Sequence, residues 1–211
     1  MTRFGCIRHG RTLWNEEERV QGWLDSPLTE EGQRLARAWG EQVRTLPWQR
    51  ILASDLGRAR ATAELINTTL VLPVHEEAGI REQNWGDWSG LLYHDLLTTH
   101  KEEFARQQAR GWEFTPPGGE SRRQVLERAM AALVDAAARW PDEAILVVSH
   151  EGVLRCLANH LAGRAFLPNE PPLLRDWHLH FFAADAGTLR IDALNALALR
   201  QPEHGRPFSL F

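Results

Sequence analysis

One continuous apolar run, AILVVSH at 144–150, restricts the folds open to this chain more than any other feature. A strand with one solvated face alternates apolar and polar residues, but this run begins with five apolar residues in succession. Such a strand is buried on both faces, as at the centre of a sheet that carries helices on both sides. The run therefore predicts a central strand in a layered α/β protein.

Strand-like and helix-like segments alternate along the rest of the chain. The predicted strands lie at 4–8, 50–54, 72–77 and 144–150. Segments with apolar residues at helical spacing predict helices at 28–46, 56–70, 120–140 and 152–163, with Thr29 as the first N-cap. Residues 178–195 predict a hairpin that turns at Asp185 to Gly187. The alternation predicts a three-layer α/β/α sandwich whose mixed sheet is mostly parallel.

The length of 211 residues favours a single domain over 1–211, since no internal repeat divides the chain. Helical and strand periodicity weaken between about 79 and 119. That segment is rich in Trp, Gly and polar residues, with a helical patch near 91–109. We interpret it as a cap insertion over a site.

Composition excludes some classes of partner. The net charge of −4 and the pI of about 6.1 argue against a nucleic acid or an anionic membrane, because both require a basic face. Cys6 and Cys156 lie in apolar runs without metal-ligand spacing and are expected to be buried free thiols in a reducing compartment. The N-terminus has no apolar signal region, and no apolar run reaches membrane-spanning length. We therefore expect a cytoplasmic protein.

Two of the predicted apolar strands are each followed by a histidine. The first runs into Arg8 and His9, and the fourth runs into His150. Ligands of open α/β sheets bind at the carboxyl ends of the strands, so these side chains are expected to share one crevice. Arg58 follows a third strand end, and the helix that starts near Gly152 points backbone N–H groups to the same place. Arginine forks match phosphate oxygens, so the arrangement predicts an anion site.

At this point the chain resembles a known family. CIRHGRTLWN, ASDLGRARATAE, IREQNWGDWSG, PGGES and LVVSHEGVLR resemble, in that order, the motifs of the histidine phosphatase superfamily, the phosphoglycerate-mutase-like phosphatases. The resemblance covers about residues 3–195. It implies phosphoryl transfer through a phosphohistidine, in which arginines supply the positive charge that a metal supplies elsewhere, so no cofactor and no metal are expected.

The resemblance also assigns roles. The catalytic residues would be His9 as nucleophile, Glu82 as proton donor and His150, with Asp87 as the local competitor of Glu82. Arg8 and Arg58 would bind phosphate together with His150. The remaining expected phosphate contacts are Asn15, Glu151 and Gly152. For Asn15 a turn or helix cap is an equally good interpretation.

Two positions depart from the family pattern, Arg11 and Glu151. Their opposite charges suggest that they pair.

The short segment between Leu91 and Pro117 lacks an arginine pair beside a tyrosine, which favours a phosphatase over a phosphoglycerate mutase. Motifs such as GDWSG and SHEGVLRCLANHLAG resemble the α-ribazole phosphatase branch of cobalamin synthesis, although broad-specificity small-molecule phosphatases share much of them. The tryptophans Trp85, Trp88 and Trp112 would either stack on an aromatic base or pack the cap. A catalytically inactive phosphate-binding module is the remaining alternative. The substrate would be a small phosphomonoester. The oligomeric state stays open.

Overall fold

The computed structural model describes residues 1–200. Residues 201–211, whose role the sequence leaves open, lie outside the described part of the chain. Six strands form one sheet in the order β3-β2-β4-β1-β5-β6. The strands are β1 Thr2–Arg8, β2 Arg50–Ala53, β3 Val74–Glu76, β4 Ala144–Ser149, β5 His178–Asp185 and β6 Thr188–Ala198.

Strands β1 to β4 run parallel to one another, whereas β5 pairs antiparallel with β1 and forms an antiparallel hairpin with β6 at one edge. The predicted α/β fold with a mostly parallel mixed sheet is therefore confirmed. The apolar run of β4 behaves as its composition requires. Ile145 and Val147 pack into one core cluster, and Leu146 and Val148 pack into the cluster on the opposite face.

Helices cover both faces of the sheet. Helices α2 (Glu30–Val43) and α3 (Gly57–Leu70) pack on one face, and α6 (Arg122–Arg139) and α7 (Glu151–Leu161) pack on the other. Thr29 is the N-cap of α2, since its hydroxyl accepts the backbone N–H of Gly32 at 3.0 Å. The one-turn helix α1 (Leu13–Glu16) was not predicted, because four residues are too few to show a helical period.

The segment between β3 and α6 contains short helices only. These are α4 (Tyr93–Thr98), α5 (Lys101–Gln108) and single 3-10 turns at Ala78–Ile80, Gly86–Trp88 and Gly111–Glu113. The side chains of Trp88, Leu96, Phe104 and Phe114 form a separate small core there, which Val20 joins from the loop after α1. The segment is thereby tied to the loop that follows β1.

None of the helices in residues 1–200 is long and apolar enough to cross a bilayer. The two cysteines of the chain, Cys6 and Cys156, are both free and buried. Burial raises the pKa of both thiols.

Candidate active site

The two histidines that follow strands meet at the carboxyl edge of the sheet. Arg8 at the end of β1 lies in register with Ser149 at the end of β4, and the backbone N–H of His9 donates to the Ser149 carbonyl at 2.9 Å. The imidazole centroids of His9 and His150 are therefore only 5.1 Å apart. Adjacent parallel strands thus bring together the two residues that the sequence places 141 positions apart.

Hydrogen bonds assign the protons of His9. Its Nδ1 lies 2.8 Å from the carbonyl oxygen of Gly10, which can only accept, so Nδ1 carries the proton. Its Nε2 lies 3.2 Å from the Nε–H of Arg58 and therefore presents a lone pair. Burial lowers the pKa of His9 well below its usual value, and the charges of Arg58 and Arg8 lower it further. The imidazole is thus held neutral with Nε2 as its nucleophilic atom.

Arg58 is fixed by an almost complete set of acceptors. Its side chain is 1% exposed, and it donates to the carbonyls of Leu24 and Gly22 at 3.0 and 2.8 Å. The carboxylate of Asp25 lies 2.9 Å from its Nη1 and also accepts the N–H groups that begin α3. Burial lowers the pKa of Arg58, and the charges of Glu82 and Asp25 oppose that shift.

His150 lies fully buried beneath the cleft as the N-cap of α7. Its Nε2 is 2.8 Å from the hydroxyl of Ser54, while its buried Nδ1 has no hydrogen-bond partner within residues 1–200. Burial lowers the pKa of His150 well below its usual value, and the charge of Arg58 adds to this effect. A neutral ring that accepts from Ser54 would carry its proton on Nδ1, where it is available as a donor.

Arg8 and Glu151 form an ion pair at the mouth of the cleft. The Nη1 of Arg8 lies 2.5 Å from Oε2 of Glu151, and both side chains are mostly buried. Glu151 therefore contacts a predicted phosphate ligand, and its own phosphate contact stays a prediction. The suggested Arg11–Glu151 pair is corrected accordingly, since Arg11 Nη1 lies 3.4 Å from Glu31.

Glu82 and Gly152 are in direct contact. The backbone N–H of Gly152 donates to Glu82 Oε2 at 3.3 Å, and that of Gln83 donates to Oε1 at 2.8 Å. A Cβ at position 152 would lie 2.2 Å from Glu82 Oε1, so any residue larger than glycine would push the carboxyl group out of this position. The N–H of Gly152, predicted to bind phosphate, donates to Glu82 in this structure, although Gly152 also lines the cleft.

Asn15 serves as a cap and also lines the cleft. Its Oδ1 accepts the backbone N–H and the hydroxyl of Thr12, both at 3.0 Å, which completes a capping box for α1. Both interpretations that the sequence left open therefore remain compatible with its position. With Oδ1 occupied, its side-chain N–H₂ group is the part available to an anion.

Sequence reasoning missed the support beneath Glu82. Arg128 of α6 donates to the carbonyl oxygens of Gly79, Arg81 and Glu82 at 2.8, 2.6 and 2.8 Å. Its Nε and Nη2 also contact both carboxylate oxygens of Glu120, at 2.9 and 3.0 Å. No sequence signal identifies this contact, since a helical arginine usually faces water. We call Arg128 and Glu120 the Glu82 support.

One cleft with about 110 Å³ of free space is lined by most of these groups, but His150, Arg128 and Glu120 are not among its lining residues. Its lining includes Arg8, His9, Asn15, Arg58, Glu82 and Gly152, whereas Asp87 is exposed on a turn outside it. Among the tryptophans, Trp85 lines the cleft, Trp88 is buried in the small core, and Trp112 packs against Phe166 and His160. No group of three or more possible metal ligands occurs among residues 1–200.

Comparison with known proteins agrees with this geometry. The model of the histidine phosphatase superfamily (branch 1) matches residues 5–193. The Klebsiella pneumoniae protein named "Probable phosphoglycerate mutase GpmB" is 40% identical over 167 residues, which cover 77% of this chain and 76% of that protein.

Two solved structures are similar over nearly the whole chain. A mycobacterial glucosyl-3-phosphoglycerate phosphatase, solved with VO3, superposes with a TM-score of 0.81 at 27% identity and covers 92% of this chain and 99% of its own. An Escherichia coli K-12 protein named "putative alpha-ribazole-5'-P phosphatase" gives a TM-score of 0.77 at 25% identity, with 95% and 100% covered. These names confirm the prediction of a phosphatase-type enzyme but differ in substrate. The chain belongs to branch 1 of the histidine phosphatase superfamily.

Proposed function

We propose that the protein hydrolyses small phosphomonoesters without a metal, through a phosphohistidine on His9. The observation that carries the proposal is the proton assignment of His9, whose Nε2 lone pair lies beside Arg58 and whose ring centroid is 5.1 Å from that of His150. A neutral nitrogen nucleophile in an arginine-lined cleft fits attack on a phosphoryl group.

In the first step, Nε2 of His9 attacks phosphorus and the ester P–O bond breaks. Glu82, in its protonated form, gives its proton to the leaving alkoxide. Arg8, Arg58 and the Nδ1–H of His150 stabilise charge on the phosphoryl oxygens, and the Asn15 amide adds a donor. In the second step, Glu82 takes a proton from water, whose oxygen attacks phosphorus. The P–N bond breaks, its electron pair returns to Nε2, and inorganic phosphate leaves.

The proposal names a class of substrate and, within it, narrower alternatives. The mixed names of the relatives support a small phosphorylated metabolite, and α-ribazole 5′-phosphate and broad specificity are both included in the proposal. A phosphoglycerate mutase is the second candidate, since the GpmB relative carries that name. The buried free thiols support a reducing, cytoplasmic location within the same proposal.

The test is phosphate release in excess EDTA from α-ribazole 5′-phosphate, 3-phosphoglycerate, sugar phosphates and nucleotides. We expect the wild-type protein to hydrolyse the ester and to carry an acid-labile phosphoryl label. We expect His9→Ala to lose both the hydrolysis and the label. The matched control is His94→Ala, because His94 is exposed and lies outside the cleft. Labelling that survives His9→Ala would refute the nucleophile assignment. Conversion of 3-phosphoglycerate to its isomer without phosphate release would favour the mutase.

A further inference from the structure

A second cavity lies beside the active-site cleft, and no step of the proposed mechanism uses it. It encloses about 390 Å³ of free space, which is within the range of small-molecule sites, whereas the cleft has about 110 Å³. The loop between α7 and β5 contributes Pro171, Leu173 and Leu174 to its wall, and Trp39 and Leu154 come from α2 and α7. The cavity therefore has the size and the apolar walls that suit a small organic molecule.

The carboxylate of Asp176 lines this cavity without a partner. It is half-buried, yet among residues 1–200 it accepts no hydrogen bond and forms no ion pair within 4.0 Å. Burial raises the pKa of Asp176 and the charge of Glu151 raises it further, while the charges of Arg8 and Arg155 offset only part of the shift. A carboxylate in this setting is stabilised by a cation that brings its own N–H donors.

Two other polar side chains of the cavity wall are buried and have one free atom each. His180 is 3% exposed, and its Nδ1 accepts the backbone N–H of Asn195 at 3.1 Å, so the neutral ring keeps its proton on Nε2. Asn159 is 7% exposed, and its N–H₂ group donates to a carbonyl of α7 at 2.8 Å, which leaves Oδ1 as an acceptor. Neither free atom has a hydrogen-bond partner in the described part of the chain. Together with Asp176 the wall offers more acceptors than donors, so it suits a ligand with N–H groups.

The charged groups around the cavity do not exclude a single positive charge. Three arginines and three carboxylates line it, namely Arg8, Arg155, Arg175, Glu151, Glu170 and Asp176. Arg8 pairs with Glu151, and both oxygens of Glu170 accept backbone N–H groups, at 3.2 and 2.7 Å. Arg175 is exposed. Asp176 is therefore the carboxylate that remains for a cation.

The cavity and the cleft share the ion pair between Arg8 and Glu151. Both residues line both spaces, and Asp176 also borders a small void of about 20 Å³ together with Arg8, His9 and Asn15. A cation beside Asp176 would attract the Glu151 carboxylate, whose charge already acts on Asp176, and would compete with Arg8 for it. Arg8 would then be free to bind a phosphoryl group.

We propose that this cavity binds a small amine with an apolar body, and that the bound ammonium group activates the neighbouring active site. The ammonium group pairs with Asp176, the apolar body packs against Trp39 and Leu174, and Glu151 turns from Arg8 towards the ligand. Arg8 thereby gains affinity for phosphate. The effect on phosphate rests on the proposed function, because it requires the phosphoryl site, whereas binding of the amine does not.

Calorimetric titration with 2-phenylethylamine, 2-phenylethanol and 3-phenylpropionate tests the site, since the three probes share an apolar body and differ in charge. We expect the amine to bind about tenfold or more tightly than either of the other probes. Asp176→Asn, which keeps the shape of the side chain, should remove that preference. Leu174→Trp, which fills the cavity from the loop, should weaken binding of the amine as well.

The matched control is Asp185→Asn. Asp185 lies exposed at the other end of β5 and does not line the cavity, so this variant should bind the amine as the wild-type protein does. Equal affinities for the amine and the alcohol, or an unchanged amine affinity in Asp176→Asn, would overturn the site.

A second titration measures the coupling to the phosphoryl site, with inorganic phosphate as the probe. Saturating 2-phenylethylamine should lower the dissociation constant of phosphate by about threefold or more, and phosphate should tighten the amine by the same factor. In Glu151→Gln the dissociation constant of phosphate should already be low, and the amine should lower it no further. An amine that binds but leaves phosphate affinity unchanged, or weakens it, would overturn the activation.

These outcomes differ from a failure of the proposed function, because neither titration requires catalysis. If the protein hydrolyses no ester, the proposed function fails and the two titrations still decide the amine site and its coupling. If phosphate does not bind either, the activation fails with the proposed function, and the amine titration alone decides whether the cavity is a binding site.

Discussion

Glu151 places a negative charge at the point where a phosphoryl group is proposed to bind. Its carboxylate lies 2.5 Å from Arg8 Nη1, so an incoming phosphate dianion must displace it or share the guanidinium with it. A carboxylate and a phosphate that contact the same guanidinium lie close together and repel each other even in a solvated cleft. We therefore expect Glu151→Gln, which keeps a hydrogen-bond acceptor for Arg8 but removes the charge, to lower KM by about three- to tenfold. Steady-state kinetics with one ester checks this.

Inhibition by inorganic phosphate provides a second measurement of the same effect. Inorganic phosphate has the negative charge of the substrate but no leaving group. Its inhibition constant should therefore fall in parallel with KM. Glu31→Gln is the control, since Glu31 pairs with Arg11, and neither residue lines the cleft. A higher KM in Glu151→Gln would instead mean that Glu151 orients Arg8 for binding.

Arg128 of helix α6 makes the hydrogen bonds by which that helix holds the loop that carries Glu82. Arg128 donates to three carbonyl oxygens of that loop, those of Gly79, Arg81 and Glu82, and is itself held by Glu120. We infer that Arg128 is a positioning residue for the proton donor. A proton donor matters most when the leaving group is a strong base. Arg128→Met should therefore lower kcat/KM for alkyl phosphates by about tenfold or more and affect p-nitrophenyl phosphate far less.

Dependence on the leaving group separates positioning from a loss of folded protein. Partial unfolding would lower the rates for all esters by the same factor, because it removes active sites irrespective of substrate. Arg139→Met on the same helix is the control, as Arg139 is half exposed and pairs with Asp135 at 2.8 Å. If Arg128→Met slows aryl and alkyl esters equally, Arg128 does not act through Glu82.

The features that could be predicted from the sequence are those with a long apolar or periodic pattern and those that lie at the same edge of the sheet. The apolar runs of β1 and β4 predict strands, and their parallel pairing is enough to bring His9 and His150 together. Contacts made by side chains from distant elements were not predictable. Arg8 reaches Glu151 across 143 residues and Arg128 reaches carbonyl oxygens, and neither contact has a periodic signature. The role of Asn15 stayed open because capping and anion binding require the same amide.

At the scale of the whole molecule, three buried histidines make folding depend on pH. Burial lowers the pKa of His9 and His150 well below the usual value and that of His180 to about 4. In the unfolded chain these rings have the reference pKa of about 6.5. Between these values the unfolded state binds protons that the folded state does not. The free energy of unfolding therefore falls as pH falls below about 6.5.

The expected slope is about 1.4 kcal/mol per pH unit for each histidine, so about 4 kcal/mol per pH unit where all three contribute. Urea unfolding at pH 7.5, 6.0 and 5.0 measures it. His180→Asn removes one of the three histidines and should therefore flatten the slope by about one third. The Asn oxygen can still accept the backbone N–H of Asn195 that His180 Nδ1 accepts at 3.1 Å, so the fold is expected to be kept. A free energy of unfolding that does not change between pH 7 and 5 would contradict the neutral, buried state of these rings. Since the mechanism requires His9 to be neutral, the same result would also weaken its assignment as nucleophile.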